Sequence, residues 1–567
     1  MKILGIQSFF PDTSACVLVN GEIRYAVQEE RLTRNKRTRY FPHRSIHFCL
    51  DKINISIKDV DIISFPVNPG IYLEHFDSQQ SSHLRYRGEI WYSVLNNMMS
   101  LIPDGKSVLD ASQNILLECG TQMKIQYVEH HLAHAAIAFY PSNFEEAAIL
   151  SIDGFGEKDC IFLGTGKENK ITPIYKQEFP HSLGCFYMTI TEFLGFQPNS
   201  DEWKVMGASS YGDASVFYDK LLSLFRFNEY GMELDLSYFN FYNFHRPLNY
   251  TKKLVDLLGP PRKGGEPLTN RHYNIAAAAQ KITETVVFKL AKNLFDLTKQ
   301  KNLCFSGGVA MNSVCNGKII ENTPFDNIYI PFTPDDSGGS IGSALYEYHQ
   351  IGGKSDRSKI TNNYFGPEYS NEEVKKELDK YALNYDTVEN SAKDAAQCIA
   401  NGEIVGWFQG GVEFGDRALG NRSILADPRK AEMKDILNNK IKFREEFRPF
   451  APSILEEHLD EYFIDAKPTP FMEKVYTIKE EKRSAIPAVV HVDGTGRLQT
   501  VNKINNPLYY SLIKNFYKLT DVPVILNTSF NLKDEPIVCS PKDAVRAFFT
   551  CGMDTLILGN YLLKKPS

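Results

Sequence analysis

His130 and His134 stand four residues apart in "YVEHHLAHAAIAFYPS", residues 127 to 142. On a helix that spacing puts both imidazoles on one face, about one turn from each other, as two ligands of one metal ion require. Two ordinary buried histidines fit the same pattern, and the stretch alone does not choose between them. A second concentration of chemistry lies in residues 414 to 455, where Arg417, Arg422, Arg429, Lys440, Lys442, Arg444 and Arg448 fall among apolar partners. A solvated helix face is the usual reading of a charge run. Here "FRPFAPSIL" sets Arg448 between Phe447 and Phe450 in a segment apolar enough for burial. A buried guanidinium needs an anionic partner, and its planar fork suits phosphate or carboxylate. Arg497 in "GTGRLQTV" and the polar run Asn527, Thr528, Ser529 and Asn531 extend this candidate oxyanion pocket. The chain has neither a P-loop nor a Gly-x-Ser-x-Gly elbow; "GTGKENK" lacks the glycine spacing and the hydroxyl residue after Lys167.

The elements that must position these groups show a repeat. "KILGIQSFFPDTSACVLVNGEIRYAVQEER" reads as strand, turn with Asp12 and Ser14, strand, Asn20-Gly21 hairpin, strand. "EEAAILSIDGFGEKDCIFLGTGKENKITPIYKQE" echoes it with Asp153-Gly154 at the first turn. Two such units suggest an internally duplicated α/β domain on the plan of actin, sugar kinases and heat-shock ATPases. Apolar residues at helical spacing (Ile275, Ala279, Ile282, Val286, Leu290) predict a helix over 273–298, leading into a strand that ends at Gly307-Gly308. Tight glycines between strand and helix admit a nucleotide or simply a packing turn. Asp335-Asp336 then precedes small residues and another helix. The polar stretch from about 352 to 370 predicts a domain boundary, dividing the chain into a first domain (1–355), a linker (356–370) and a second α/β domain (371–567). In the latter, Ser391 is the expected cap and Gly402 the stop of one helix; Ser540, Pro541 and Gly552 cap, start and stop another.

Composition narrows the classes. The 567 residues are 43% apolar and 23% charged, which excludes a mainly disordered chain and calls for more than one core. A net charge of −6 argues against a broad nucleic-acid surface, so the basic clusters are read as sites for small anions. The ten cysteines form no Cys-x-x-Cys pair, the pattern of a reduced, cytoplasmic protein rather than a zinc cage or a disulfide framework. The opening apolar run breaks at Pro11-Asp12, too early for a secretory signal, and no stretch approaches a membrane span.

Longer runs carry a resemblance. "EERLTRNK", "VEHHLAHAAIAFYPS", "SIDGFGE", "WKVMGASSYG" and "SGGVAMNSVCNGK", followed by "EFGDRALGNRSILADPR", "KIKFREEFRPFAPS" and "NTSFNLKDEPIVCSP", resemble in order the NodU/CmcH-type O-carbamoyltransferases. The resemblance covers essentially the whole chain. It implies a first domain like the tRNA-threonylcarbamoyl transferase TsaD and a YrdC-like second domain. In this family the second domain makes carbamoyl-adenylate from carbamoyl phosphate and ATP, and the first transfers the carbamoyl group to a substrate hydroxyl, releasing AMP. Position by position, it implies His130, His134, Asp153 and Asp336 as metal ligands. Ferrous iron is the family's metal, while the donor types equally suit Mn or Zn, with Mg accompanying ATP. It implies Asp12 at the first turn, Lys36 and Lys204 near the metal-held phosphate, and Gly307, Gly308, Asn312 and Asn316 in the adenosine loop. Arg417, Lys442, Arg448, Arg497, Asn527 and Ser529 would form the carbamoyl phosphate and ATP pocket. The implied acceptor is a small hydroxylated metabolite of natural-product biosynthesis, with neither nucleic acid nor membrane as partner. Carbamoylation of tRNA or an amine, and a non-catalytic nucleotide-binding regulator, are the competing readings. Three positions depart from the family pattern: Pro11 where a histidine base precedes the first-turn Asp, Gly411 for Arg, and Asp416 for Pro. The aromatic run 238–247 is read as core rather than as a sugar platform. The acceptor and the oligomeric state are not legible.

Overall fold

The computed structural model describes residues 1–8, 12–68, 112–116, 120, 122–142, 144–243, 247–445 and 447–565. Pro11 and residues 244–246 of the aromatic run lie outside the described residues. The chain divides into two units, residues 1–26 with 39–359, and residues 27–38 with 360–567. The break after Lys359 falls in the polar stretch read as a boundary. The assignment of residues 27–38 to the second unit has no counterpart in the sequence reading.

The first unit contains two sheets of one plan. β1 (Lys2–Gln7), β2 (Ser14–Val19), β3 (Glu22–Gln28), β4 (Ile62–Phe65), β5 (Ser112–Leu116) and β6 (Gln122–Tyr127) pair in the order β3-β2-β1-β4-β6-β5. β2 runs antiparallel to β1, whereas β4 and β6 continue parallel to it. Asn20 and Gly21 both adopt positive φ (52° and 83°), the geometry that a tight hairpin between β2 and β3 demands. The second sheet contains β7 (Glu146–Ile152), β8 (Asp159–Lys167) and β9 (Lys170–Glu178). After a small ribbon of β10 (Phe225–Phe227) and β11 (Met232–Leu234), β12 (Asn302–Ser306) and β13 (Asn327–Tyr329) complete it in the order β13-β12-β7-β8-β9. Again an antiparallel trio carries parallel strands on its other edge. This is the duplicated α/β plan expected from the two strand–Asp-turn–strand units.

Five helices of this unit matter for the site: α1 (His130–Phe139), α2 (Glu202–Ser209), α3 (Asn270–Thr298), α4 (Ser313–Asn322) and α5 (Gly339–Tyr346). Every residue of α1 is buried. α5 lies against it through small residues: a Cβ on Gly342 would stand 2.1 Å from the Ala133 carbonyl oxygen. Only a glycine lets the two backbones approach so closely. α3 begins at Asn270, three residues before the expected start, because Thr269 forms a capping box with His272. In the aromatic run, Phe239 is fully buried and packs edge-on against Phe186, a core role.

The second unit is built on a nine-stranded mixed sheet. Its strands are β14 (Asp386–Thr387), β15 (Val405–Phe408), β16 (Arg422–Ala426), β17 (Ala451–Leu455), β18 (Lys474–Thr477), β19 (Thr495–Val501), β20 (Val524–Ser529), β21 (Thr555–Leu558) and β22 (Tyr561–Lys564), in the order β14-β22-β21-β15-β16-β20-β17-β19-β18. α6 (Ser391–Ala400), α7 (Pro507–Thr520) and α8 (Pro541–Phe549) share its core with Trp407, Ile424, Ile513, Phe516 and Phe548. Two helix ends differ from expectation. Asn390 rather than Ser391 caps α6, since its side-chain oxygen accepts from Lys393 N at 3.0 Å. α8 starts as expected at Pro541 under a Ser540–Asp543 capping box, but ends at Phe549, where the Thr550 hydroxyl donates to the Arg546 carbonyl oxygen (2.8 Å) before Gly552 is reached.

Candidate metal centre and anion site

α1 is Ala-rich and starts at His130, whose N–H is held by the buried Glu157 carboxylate at 3.1 Å to each oxygen. A carboxylate at a helix start complements the dipole and fixes the rotation of the first turn. Burial raises the Glu157 pKa to about 7. That rotation turns His130 and His134 to one side, with their Nε2 atoms 3.0 Å apart. His131 faces elsewhere: Nδ1 meets Ser151 Oγ at 2.9 Å and Nε2 meets the Asp159 carbonyl at 3.0 Å, a structural pairing.

Asp153 follows the buried strand β7 directly. Its Oδ1 accepts from Gly308 N (3.1 Å), which leaves Oδ2 aimed at His130 Nε2 (2.9 Å) and His134 Nε2 (3.3 Å). Asp336 stands just before α5 and brings Oδ1 to 3.3 and 3.5 Å from the same two nitrogens. Asp336 Oδ1 is buried and makes no hydrogen bond. One ligand atom from each of the four residues falls within 4.8 Å of all the others. With metal–ligand bonds of about 2.1 Å, adjacent donors of one ion stand about 3.0–3.4 Å apart. The His–His and His–Asp separations, 2.9–3.5 Å, match that spacing. Two neutral imidazoles and two carboxylates also balance a divalent cation. Burial disfavours the charged imidazoles, yet the two carboxylates overcome it and raise the pKa of both His130 and His134. Burial acts against Asp153 too, and the two histidines hold it well below the usual carboxylate range. The residues fit a resident divalent metal.

In the second unit, basic side chains from separate segments gather. Burial pushes Arg497 well down, and Arg417, Arg444 and Arg448 add repulsion. Burial likewise depresses Lys442, reinforced by Arg444, Arg448 and Lys36. Lys442 Nζ donates to the Ser529 carbonyl (2.5 Å) and to Asn531 Oδ1 (2.8 Å), tying the 438–444 turn to the end of β20. Arg444 lies over the Phe450 ring at 4.4 Å and donates to Asn438 Oδ1 (2.7 Å). Asn527 Nδ2 donates to Gln499 Oε1 (2.9 Å) and to the Ala418 carbonyl (3.1 Å), while its Oδ1 is buried without a partner. Like charges held together at low dielectric are relieved by a polyanion.

Two family models match this chain: "Carbamoyltransferase N-terminus" over residues 2–345 and "Carbamoyltransferase C-terminus" over residues 396–565. The chain belongs to the carbamoyltransferase family. Among relatives of this carbamoyltransferase, an uncharacterized Synechocystis protein, sll1178, is 40% identical over all of this chain and 97% of its own. The nodulation protein NolNO of Sinorhizobium fredii is 36% identical over 99% of this chain and 80% of its own. NolO of Bradyrhizobium diazoefficiens is 37% identical over 77% and 79% respectively.

Within the carbamoyltransferase, the structure sorts the sequence-derived residues unevenly. His130, His134, Asp153 and Asp336 converge. Gly307 (φ 86°) and Gly308 form the turn after β12, and a Cβ on Gly307 would strike the Ile152 carbonyl oxygen at 2.3 Å. Asn312 caps α4 and pairs with Gln280, and Asn316 donates to the Ala310 carbonyl (2.7 Å), so both shape the loop from within. Asp12 is buried at positive φ (63°) in the turn between β1 and β2. Lys204, on α2, engages Asp201 (3.0 Å) and the rings of Phe196 and Trp203. Lys36 belongs to the second unit with the rest of residues 27–38. Burial lowers its pKa, and its charged neighbours are Asp416, Arg31, Asp534 and Arg448. Two members of the 414–455 charge run are structural. Arg422 is fully buried and donates to the carbonyls of Gln409, Asn421, Pro367 and Gly410, and Arg429 forks onto Asp427. Gly411 is packed so that a Cβ would meet the Tyr364 carbonyl oxygen at 2.7 Å, leaving no room for an arginine there. Glu157 and Glu413 were missed, because a lone buried carboxylate carries no sequence pattern.

Proposed function

We propose that this carbamoyltransferase activates carbamate as carbamoyl-adenylate in its second unit and transfers the carbamoyl group to a hydroxyl of a small metabolite at the metal centre of its first. The observation that carries this reading is the occurrence, in one family member, of a four-residue His/Asp cluster able to hold a cation in one unit and a converging basic cluster in the other. In the activation step, a water molecule cleaves carbamoyl phosphate at the carbonyl–phosphate linkage, giving phosphate and carbamate. A carbamate oxygen then bonds to the α-phosphorus of ATP as the bond to pyrophosphate breaks. Arg417, Arg448, Arg497, Lys442 and Lys36 bind and orient the phosphates and offset the charge building on them. Asn527 Oδ1, buried and acceptor-only, suits the carbamoyl NH₂.

In the transfer step the acceptor oxygen bonds to the carbamoyl carbon, AMP departs, and the hydroxyl proton goes to a base. His130, His134, Asp153 and Asp336 would hold the divalent cation, which supplies Lewis-acid stabilisation of phosphate charge when bound. Gly307, Gly308 and the α4 start present backbone to the nucleotide, and the Gly308–Asp153 hydrogen bond fixes which carboxylate oxygen faces the histidines. The donor chemistry favours iron, manganese or zinc over magnesium, which accompanies ATP. The test is AMP release by the metal-loaded protein. AMP appears with ATP, carbamoyl phosphate and a hydroxylated acceptor together, with one carbamate ester formed per AMP. Nucleotide binding without adenylate turnover would leave a regulator, and saturable tRNA-dependent AMP release would make the acceptor a nucleic acid.

A further inference from the structure

We infer that residues 27–38 form a strap that sets the arginine-bearing turn of the anion pocket, with Arg31 as the positioning residue for Arg417. The strap includes the short helix Glu29–Thr33 and belongs to the second unit although it lies more than 300 residues from the rest of that unit in sequence. Its grip is specific. Arg31, 2% exposed, donates from Nη2 to the Gly415 carbonyl at 2.7 Å, and Gly415 N donates back to Gln28 Oε1 at 3.2 Å. Both backbone polar groups of Gly415 are thus held by the strap, and Gly415 sits at φ 105°, a conformation reserved for glycine. The far side of the same turn is closed by Glu413, whose Oε1 accepts from Leu419 N (2.8 Å), Asn421 N (2.8 Å) and Arg422 N (3.1 Å). Asp416 and Arg417 are the tip between these two clamps. Further along, Arg34 donates to the carbonyls of Ile537 (2.5 Å) and Pro536 (2.7 Å) and lies 3.5 Å from Asp543. The strap therefore ties the 415–417 turn to the segment that follows β20 and Ser529. It also delivers Lys36 to the cluster.

Burial lowers the Arg31 pKa, while Asp416 favours its charged form and Glu30 is its ion-pair partner. Losing a charge-assisted hydrogen bond to Gly415 releases the turn rather than removing a substrate contact. This inference rests on the pocket assignment above, and its readout is chosen to fail separately. Sulfate and carbamoyl phosphate binding to the full-length protein are measured by calorimetry, together with KM and kcat for carbamoyl phosphate, in Arg31→Gln, Arg31→Lys, Arg417→Ala and Arg31→Gln/Arg417→Ala. Arg31→Gln should raise KM for carbamoyl phosphate about 10- to 100-fold with a smaller change in kcat, and Arg31→Lys should restore part of it. The double variant should bind no more weakly than Arg417→Ala alone, because a misplaced side chain already absent costs nothing further. Additive losses, or an unchanged KM in a folded Arg31→Gln protein, overturn the positioning role. Failure of Arg417→Ala itself to weaken anion binding would instead sink the pocket assignment. Arg34→Ala separates strap docking from folding: it should shift KM in the same direction while metal content stays at the wild-type value, and an unchanged KM there contradicts the strap.

Discussion

Asp153 does two things at once: Oδ1 is pinned by the Gly308 amide while Oδ2 reaches both histidines. Asp153→Asn keeps the shape but replaces a charged donor with a neutral amide. Metal content measured by mass spectrometry should fall, with affinity down at least about 100-fold, beyond the 10–100-fold typical when only a group hydrogen-bonded to a ligand is changed. Glu157→Gln, which keeps an acceptor toward the α1 start but drops the charge, should weaken metal binding about tenfold. At the other centre, burial and then Arg444, Arg448 and Lys36 depress Lys442, so the folded protein binds fewer protons there than an ordinary lysine would. A bound anion restores that proton. Sulfate, whose charge is constant near neutrality, should therefore bind with net proton uptake, and its affinity should fall as pH rises above the depressed pKa toward the ordinary lysine range. Titration calorimetry in buffers of different ionisation enthalpy reads this directly; proton release on binding would contradict it.

At the scale of elements, the convergence of the four candidate metal ligands depends on how closely α5 approaches α1. Gly342→Val places methyl groups where the Ala133 carbonyl already stands at 2.1 Å from an ideal Cβ. The helices must part, costing about 1–3 kcal/mol of stability or more, and Asp336 should lose its register with His130 and His134. Thermal unfolding and metal content together check this; a stable, metal-replete variant would show the helix spacing to be irrelevant. Much of this local order was legible. His130 and His134 gave a helix face because their spacing is a helical turn, and Asn20-Gly21 gave a hairpin because few residues tolerate its dihedrals. The helix caps were legible only to within a residue, as Asn390 beside Ser391 illustrates, since either side chain can reach the amides of the first turn. Asp336 and Asp153 could not be joined to the histidines by spacing, for they arrive from the ends of different elements; only the resemblance linked them. The unit that Lys36 joins was illegible for a related reason. No local pattern tells a strand-following segment which of two domains it will dock into.

At the scale of the whole molecule, the chain joins two units of one family architecture, each matched over most of its length by a carbamoyltransferase model. Among the described residues no helix is long and apolar enough to cross a membrane, and none of the nine described cysteines forms a disulfide. In the proposed reaction, activation and transfer are separate chemistries of separate units. ATP–pyrophosphate exchange dependent on carbamoyl phosphate isolates the first of them. A folded His134→Ala protein, stripped of its metal, should retain that exchange at near the wild-type rate while forming no carbamate ester. Loss of exchange in that variant would contradict the account.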